Sequence, residues 1–159
     1  SPKVVEAVQA VLANSADALR LYPDPDASAL KQAIAKQQNV AVENVFVGNG
    51  SDEVLAHIFK AFFVQDLPLL YPDITYSFYP VYSQFFGVDT KVLPLNDQFE
   101  IVVDDYKQPN GGIIITNPNA PTSIDLGLAK IEEILQANPN SVVVIDEAYV
   151  DFGADAFLF

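Results

Sequence analysis

Two runs of β-branched residues, Ile113-Ile114-Ile115 and Val142-Val143-Val144-Ile145, are apolar at every position. Successive side chains of a strand point to opposite faces, so such runs bury both faces. That excludes a sheet with one wet face and points to a parallel sheet covered by helices. The intervening segments fit. Val4, Val5, Val8, Val11 and Leu12 recur at helical spacing, which predicts an amphipathic helix over 3–13. Ser28 reads as the cap of a second helix, with Leu30, Ile34 and Val40 facing the core. Val45-Phe46-Val47 reads as a short strand, followed by a helix over about 51–64 whose apolar face is Val54, Leu55, Ile58, Phe59, Phe62 and Phe63. Further strands are expected at 67–71 and 91–95, and further helices at 76–86 and 126–136. Pro80 is tolerable only in a first turn. The expected fold class is α/β, a mostly parallel sheet sandwiched by helices.

Charge and residue usage remove several classes of function. There are 21 acids against 8 bases, a net charge of −13, which repels phosphate polymers and anionic membranes, so neither nucleic acid nor membrane is an expected partner. Apolar runs are broken within about ten residues, too short to span a bilayer. Cysteine is absent, so no disulfide or thiolate metal site forms and a cytoplasmic location is the default. The only histidine, His57, follows Glu53 by one helical turn between apolar positions. It reads as a helix-side residue, and no metal site is expected. No signal peptide is visible before the first helical pattern. The apolar ending Ala156-Phe157-Leu158-Phe159 suggests that more chain follows in a parent protein.

Four constellations bear on chemistry. Gly48-Asn49-Gly50-Ser51-Asp52-Glu53 turns a strand into a helix start, where backbone amides and the helix dipole favour an anion such as phosphate. A capped helix start, with Asn49 or Ser51 as cap, explains the same residues. Asp146-Glu147-Ala148-Tyr149 ends a buried strand, the place where open α/β sheets bind ligands. There Asp146 suits a pyridinium nitrogen, keeping it protonated, or a magnesium ion in a nucleotide hydrolase. The second reading lacks the Gly-Lys-Ser/Thr loop it needs. Thr116-Asn117-Pro118-Asn119-Ala120-Pro121-Thr122-Ser123 carries two X-Pro bonds close together at another strand end, with room for a cis bond. It also reads as an ordinary strand-to-helix loop capped by Ser123 or Asp125. Tyr76, Phe78, Tyr79 and Tyr82 crowd one helix start. Core packing is the common use of such rings, and only Tyr76 is singled out as a ring that stacks on a flat cofactor.

In this order the signals resemble one family. Leu21-Tyr22-Pro23-Asp24-Pro25, Gly48-Asn49-Gly50-Ser51-Asp52-Glu53, Pro72-Asp73-Ile74-Thr75-Tyr76-Ser77, the 117–122 loop and Asp146-Glu147-Ala148-Tyr149 are similar to the class I/II aminotransferases of fold type I. These enzymes depend on pyridoxal 5'-phosphate (PLP), and the wording is nearest to the histidinol-phosphate aminotransferases. The resemblance implies a partial PLP-binding large domain over 1–159, without the N-terminal arm, the rest of the large domain or the small domain. It implies PLP as cofactor, a small-molecule amino donor with a 2-oxo acid as substrates, and a homodimer. Ser51, Asp52 and Glu53 correspond to the segment at the cofactor phosphate, and Tyr76 to the ring stacked on the pyridine. Asp146 corresponds to the acid at the ring nitrogen and Tyr149 to the phenol at the ring hydroxyl. Tyr22 corresponds to a tyrosine reaching the partner subunit's phosphate site.

Departures from the family pattern matter. Ala120 stands where members carry an asparagine for the ring oxygen, and Ser123 replaces a glycine. The lysine that holds the cofactor as a Schiff base lies well after the Asp-Glu-Ala-Tyr segment in the family, whereas the last lysine here is Lys130. The substrate-gripping arginine has no counterpart, since the single arginine is Arg20. No catalytic residue is therefore assigned within 1–159, and the segment alone is expected to be inactive. The expected activity of the parent is transfer of an amino group between histidinol phosphate and 2-oxoglutarate. Two alternatives remain at this level: a non-catalytic α/β interaction module, and a related enzyme acting on aromatic amino acids or decarboxylating phosphothreonine.

Overall fold

The computed structural model describes residues 1–15, 17 and 20–152, so the apolar ending at 156–159 lies outside it. The chain divides into two compact units, Ser1–Val47 and Gly48–Phe159. In the first unit, helix α1 spans Pro2–Ser15, with proline in the first turn where its missing N–H costs nothing. Helix α2 spans Ser28–Gln38 and ends at Asn39 in the left-handed conformation, φ 55°, as helix C-termini favour. Ser28 is not the cap. Ala27 holds that position without a side-chain bond, and Asp24 accepts the N–H groups of Ser28 at 2.8 Å and Asp26 at 3.0 Å. These bonds, led by the Ser28 side chain, hold the Asp24 carboxyl below its ordinary range. Ala35 is the buried residue of α2, whereas Leu30, expected in the core, is exposed. Val45-Phe46-Val47 is not a strand. Val45 is extended, but the segment has no ladder partner among the described residues.

In the second unit, helix α3 (Gly50–Ile58) runs into a π-helical turn at Phe59–Phe63. Strands β1 (Leu69–Pro72), β2 (Thr90–Leu93), β3 (Gly112–Thr116) and β4 (Val143–Asp146) form one sheet in the order β2-β1-β3-β4, every pair parallel. Helix α4 (Tyr79–Phe86) links β1 to β2, and α5 (Leu128–Ala137) links β3 to β4. Helix α4 starts three residues later than the aromatic pattern suggests, which places Pro80 in the first turn. Gly127, rather than Ser123 or Asp125, precedes α5.

Alternation along the strands divides the core. Leu69, Tyr71 and Ile114 pack on Leu55, Phe59, Phe63, Tyr79 and Tyr82. Leu70, Ile113 and Ile115 face the other way, onto Leu93, Tyr106, Leu126, Ile131 and Ile134. Every residue of β1 and β3 is buried, the consequence expected of strands covered on both faces. Phe62, in the π-turn, faces solvent instead of the core. The chain first places β2 on one side of β1, then crosses to place β3 on the other. That reversal opens a crevice at the strands' carboxyl ends, where ligands of open α/β sheets bind.

Candidate active site

Residues from four segments meet in that crevice. A cavity of about 130 Å³ is lined by Ser51, Asp52, Tyr76, Thr116, Ala120, Asp146, Ala148 and Tyr149. Ser51 and Asp52 come from the first turn of α3, which no side chain caps at Asn49. Gly50 enters it at φ 79°, with open space where a side chain would begin. Its bare N-terminus is thus suited to an anion. Tyr76 comes from the loop after β1, Thr116 from the end of β3 and Asp146 from the end of β4.

Hydrogen bonds order the acids. Tyr76 donates to Asp52 Oδ1 at 2.7 Å, and Tyr82 donates to the Asp52 carbonyl at 2.9 Å. Asp146 receives the Tyr79 hydroxyl on Oδ2 at 3.0 Å and the Ala148 N–H on Oδ1 at 3.2 Å. The bond to Asp52, reinforced by burial, pushes the Tyr76 phenol up to about 12. Burial first, then the Asp146 charge, raises the Tyr79 phenol far above its ordinary value. Burial and Asp52 raise Tyr82. All three phenols therefore keep their protons and act as donors, Tyr76 to the Asp52 carboxylate, Tyr79 to that of Asp146 and Tyr82 chiefly to the Asp52 carbonyl.

Five of the seven residues singled out in the sequence line this cavity: Ser51, Asp52, Tyr76, Asp146 and Tyr149. Glu53 does not; its carboxylate folds back onto the Asn49 N–H. Tyr22 is fully exposed within the first unit. Both X-Pro bonds of the 117–121 loop are cis. Asn117 is fully buried and accepts the Leu126 N–H at 2.8 Å, while Asn119 donates to the Ile74 carbonyl at 2.9 Å. These asparagines brace the loop, and Ala120 presents no polar group to the cavity. Thr116, Tyr79 and Tyr82 were missed as polar participants. Tyr79 and Tyr82, three residues apart on α4 and following Tyr76 at the same interval, were the available signal.

The aminotransferase class I and II family model matches residues 1–159. The chain belongs to that family, whose members are PLP-dependent enzymes. Histidinol-phosphate aminotransferase of Acinetobacter baumannii (strain SDF) is 81% identical over 156 residues. That of Pseudomonas syringae pv. syringae (strain B728a) is 56% identical over 155. Each match covers 98% of this chain and 43% of the relative, so the chain spans less than half the length of these family members. Among solved structures, the histidinol-phosphate aminotransferase of Clostridium acetobutylicum superposes with a TM-score of 0.81 at 22% identity, over 95% of this chain and 45% of that one. The Sinorhizobium meliloti enzyme, in complex with pyridoxal-5'-phosphate, gives 0.79 at 22% identity, over 95% and 41%. The fold is that of the fold-type I PLP-dependent aminotransferases.

Proposed function

We propose that residues 1–159 form the cofactor-facing part of the large domain of a histidinol-phosphate aminotransferase. The whole protein transfers an amino group between histidinol phosphate and 2-oxoglutarate, in histidine biosynthesis. The 81% identity to the Acinetobacter baumannii enzyme supports the substrate. The observation that carries the chemistry is the convergence of an uncapped helix N-terminus and the Asp146 carboxylate on one cavity. PLP fits this donor set: its phosphate matches the backbone amides after Gly50, and its ring nitrogen matches Asp146. When bound, PLP supplies an electron sink that stabilises negative charge at the substrate carbon.

The chain's own residues hold and orient. Amides at 51–53 bind phosphate, while the Asp52 side chain is turned to Tyr76 at 2.7 Å and, at 3.4 Å, to Tyr82. Glu53 contributes through its amide, since its carboxylate closes the turn onto Asn49. Tyr76 offers a ring face held in place by Asp52. Asp146 keeps the proton on the ring nitrogen. Tyr149 holds the ring oxygen without help from Ala120. Tyr22 reaches the phosphate site of the partner subunit in a cytoplasmic homodimer. Residues 1–159 span 43% of the length of the Acinetobacter baumannii relative, so turnover is a property to be read on the whole protein.

The test is PLP binding and histidinol-phosphate turnover by the full-length protein. Asp146→Ala is expected to weaken PLP binding by about a hundredfold, of the order lost with one buried charge pair. Unchanged PLP affinity in Asp146→Ala, or PLP-independent turnover, would overturn the reading.

A further inference from the structure

Behind Asp146 the structure carries a line of hydroxyls. Tyr79 is fully buried, and its oxygen lies 3.0 Å from Asp146 Oδ2 and 3.0 Å from Thr116 Oγ1. Thr116 Oγ1 in turn lies 3.1 Å from Thr75 Oγ1. Each phenol has one proton to give, and an ionised carboxylate can only accept. Tyr79 must therefore donate to Asp146, which leaves its oxygen to accept from Thr116. Thr116, its proton used, accepts from Thr75. The direction of the whole line, Thr75 to Thr116 to Tyr79 to Asp146, follows from the charge at its end, and each bond polarises the next.

Packing alone does not require this. Phe59 lies against Tyr79 with ring centroids 6.2 Å apart, and Tyr71 lies at 6.0 Å. A phenylalanine ring would satisfy those neighbours. The hydroxyl is present at a fully buried position, where an unbonded polar group is costly. Its partners are Asp146 and the strand-end threonine paired with Asp146 in the sheet register. The second Asp146 oxygen is taken by the Ala148 N–H at 3.2 Å, so both oxygens are tied from the protein side.

We propose that Tyr79 is a positioning residue that, with Thr116 behind it, fixes the Asp146 carboxylate toward the cavity for the cofactor's ring nitrogen. It rests on the reading of Asp146 given above. Tyr79 itself touches neither cofactor nor substrate. Without its hydroxyl the carboxylate loses one of its two tethers, and its hold on the ring-nitrogen proton loosens.

The experiment uses full-length protein loaded with PLP labelled with nitrogen-15 in the ring, and reads the ring-nitrogen resonance together with the PLP dissociation constant. Tyr79→Phe is expected to move the resonance from its protonated toward its unprotonated position. It should also raise the dissociation constant about tenfold, the loss expected for one hydrogen bond to a charged group. Thr116→Val should shift the resonance the same way but less, and Thr116→Ser should restore it. Asp146→Ala in the same assay separates the two ideas. If Asp146→Ala leaves the resonance unmoved, the underlying reading of Asp146 fails. If Asp146→Ala moves it and neither Tyr79→Phe nor Thr116→Val does, the positioning role of Tyr79 is overturned while the reading of Asp146 stands. Because Thr116 itself lines the cavity, should Tyr79→Phe fail to fold, Thr116→Val decides together with Thr116→Ser: a shift in valine that serine does not reverse overturns the role of the hydroxyl line.

Discussion

The two ends of the sheet are both polar, but Asn110 and Asn138 at one end are buried, whereas Asp52 and Tyr149 at the other are exposed. At the amino end the network is neutral and its members bond chiefly to one another. Asn110 donates to Asn138 Oδ1 at 2.7 Å and to the Gln108 carbonyl at 2.8 Å, and accepts the Gly112 N–H at 3.0 Å. Asn138 donates to the carbonyls of Tyr106 and Ile134, and Ser141 donates to the Asn110 carbonyl. At the carboxyl end the network carries two carboxylates and opens on a cavity. A neutral network whose amides and carbonyls satisfy one another stabilises its loops, and the depression beside it, lined by Gln108, Asn110, Asn138 and Ser141, brings no carboxylate to a ligand. A charged network that ends at a cavity offers that charge, as functional sites do. The amino end should therefore govern stability and the carboxyl end binding.

Four substitutions break or sharpen that contrast. Gly111→Ala has the largest expected effect, because a β-carbon there would fall inside contact distance of the Leu67 backbone carbonyl. A loss of about 3 kcal/mol in denaturant unfolding is expected, the upper range for overpacking, with PLP affinity of the folded protein unchanged. Asn138→Ala takes one of two acceptors from the buried Asn110 amide and removes the side-chain donor from two carbonyls. It should cost about 2 kcal/mol, again without touching PLP affinity. An affinity loss in either variant would dissolve the distinction between the ends.

At the carboxyl end the sign reverses. Ser123 sits at φ 61°, a conformation that glycine adopts freely and other residues at a cost. Ser123→Gly should raise stability by roughly 1 kcal/mol, read by the same denaturation. This is also where family members carry glycine, so the structure gives a backbone reason for that preference. The smallest effect is alkaline. The Tyr76 phenol is raised from 10.0 to about 12 in the folded state, so the native protein holds this proton more tightly than the unfolded chain. Its contribution is fully present below pH 10 and lost as pH rises through 12. Stability of Tyr76→Phe should consequently fall less than wild type between those values. Parallel pH curves for the two proteins would remove Asp52 as the cause.

Much of this was legible from residue pattern alone. The apolar runs at 113–115 and 142–145 announced a parallel sheet, and the helical spacing around Leu55, Phe59 and Phe63 announced what covers it. Local pattern misled where local pattern was weak. Val45-Phe46-Val47 has strand composition, but a strand exists only with a partner, and none pairs with it among the described residues. Asp52, Asp146 and Tyr76, which line the cavity, each sit beside a turn or strand end visible in the sequence. The roles of Tyr79 and Thr116 were not legible, since their meaning depends on hydroxyls 37 residues apart being brought together. No window of sequence contains that juxtaposition.

The strand order has a temporal consequence. The central pair β1 and β3 joins Leu69 to Gly112, and the acid that completes the cavity arrives only at residue 146. A nascent chain leaving the ribosome therefore carries the Gly50 turn long before it has the opposite wall of the cavity, with the flank of β3 bare until β4 docks. Such non-local pairing is slow, and an uncovered strand flank invites mispairing. Vectorial synthesis thus leaves an interval, from the emergence of β3 to the docking of β4, in which this half-built sheet most needs protection by chaperones.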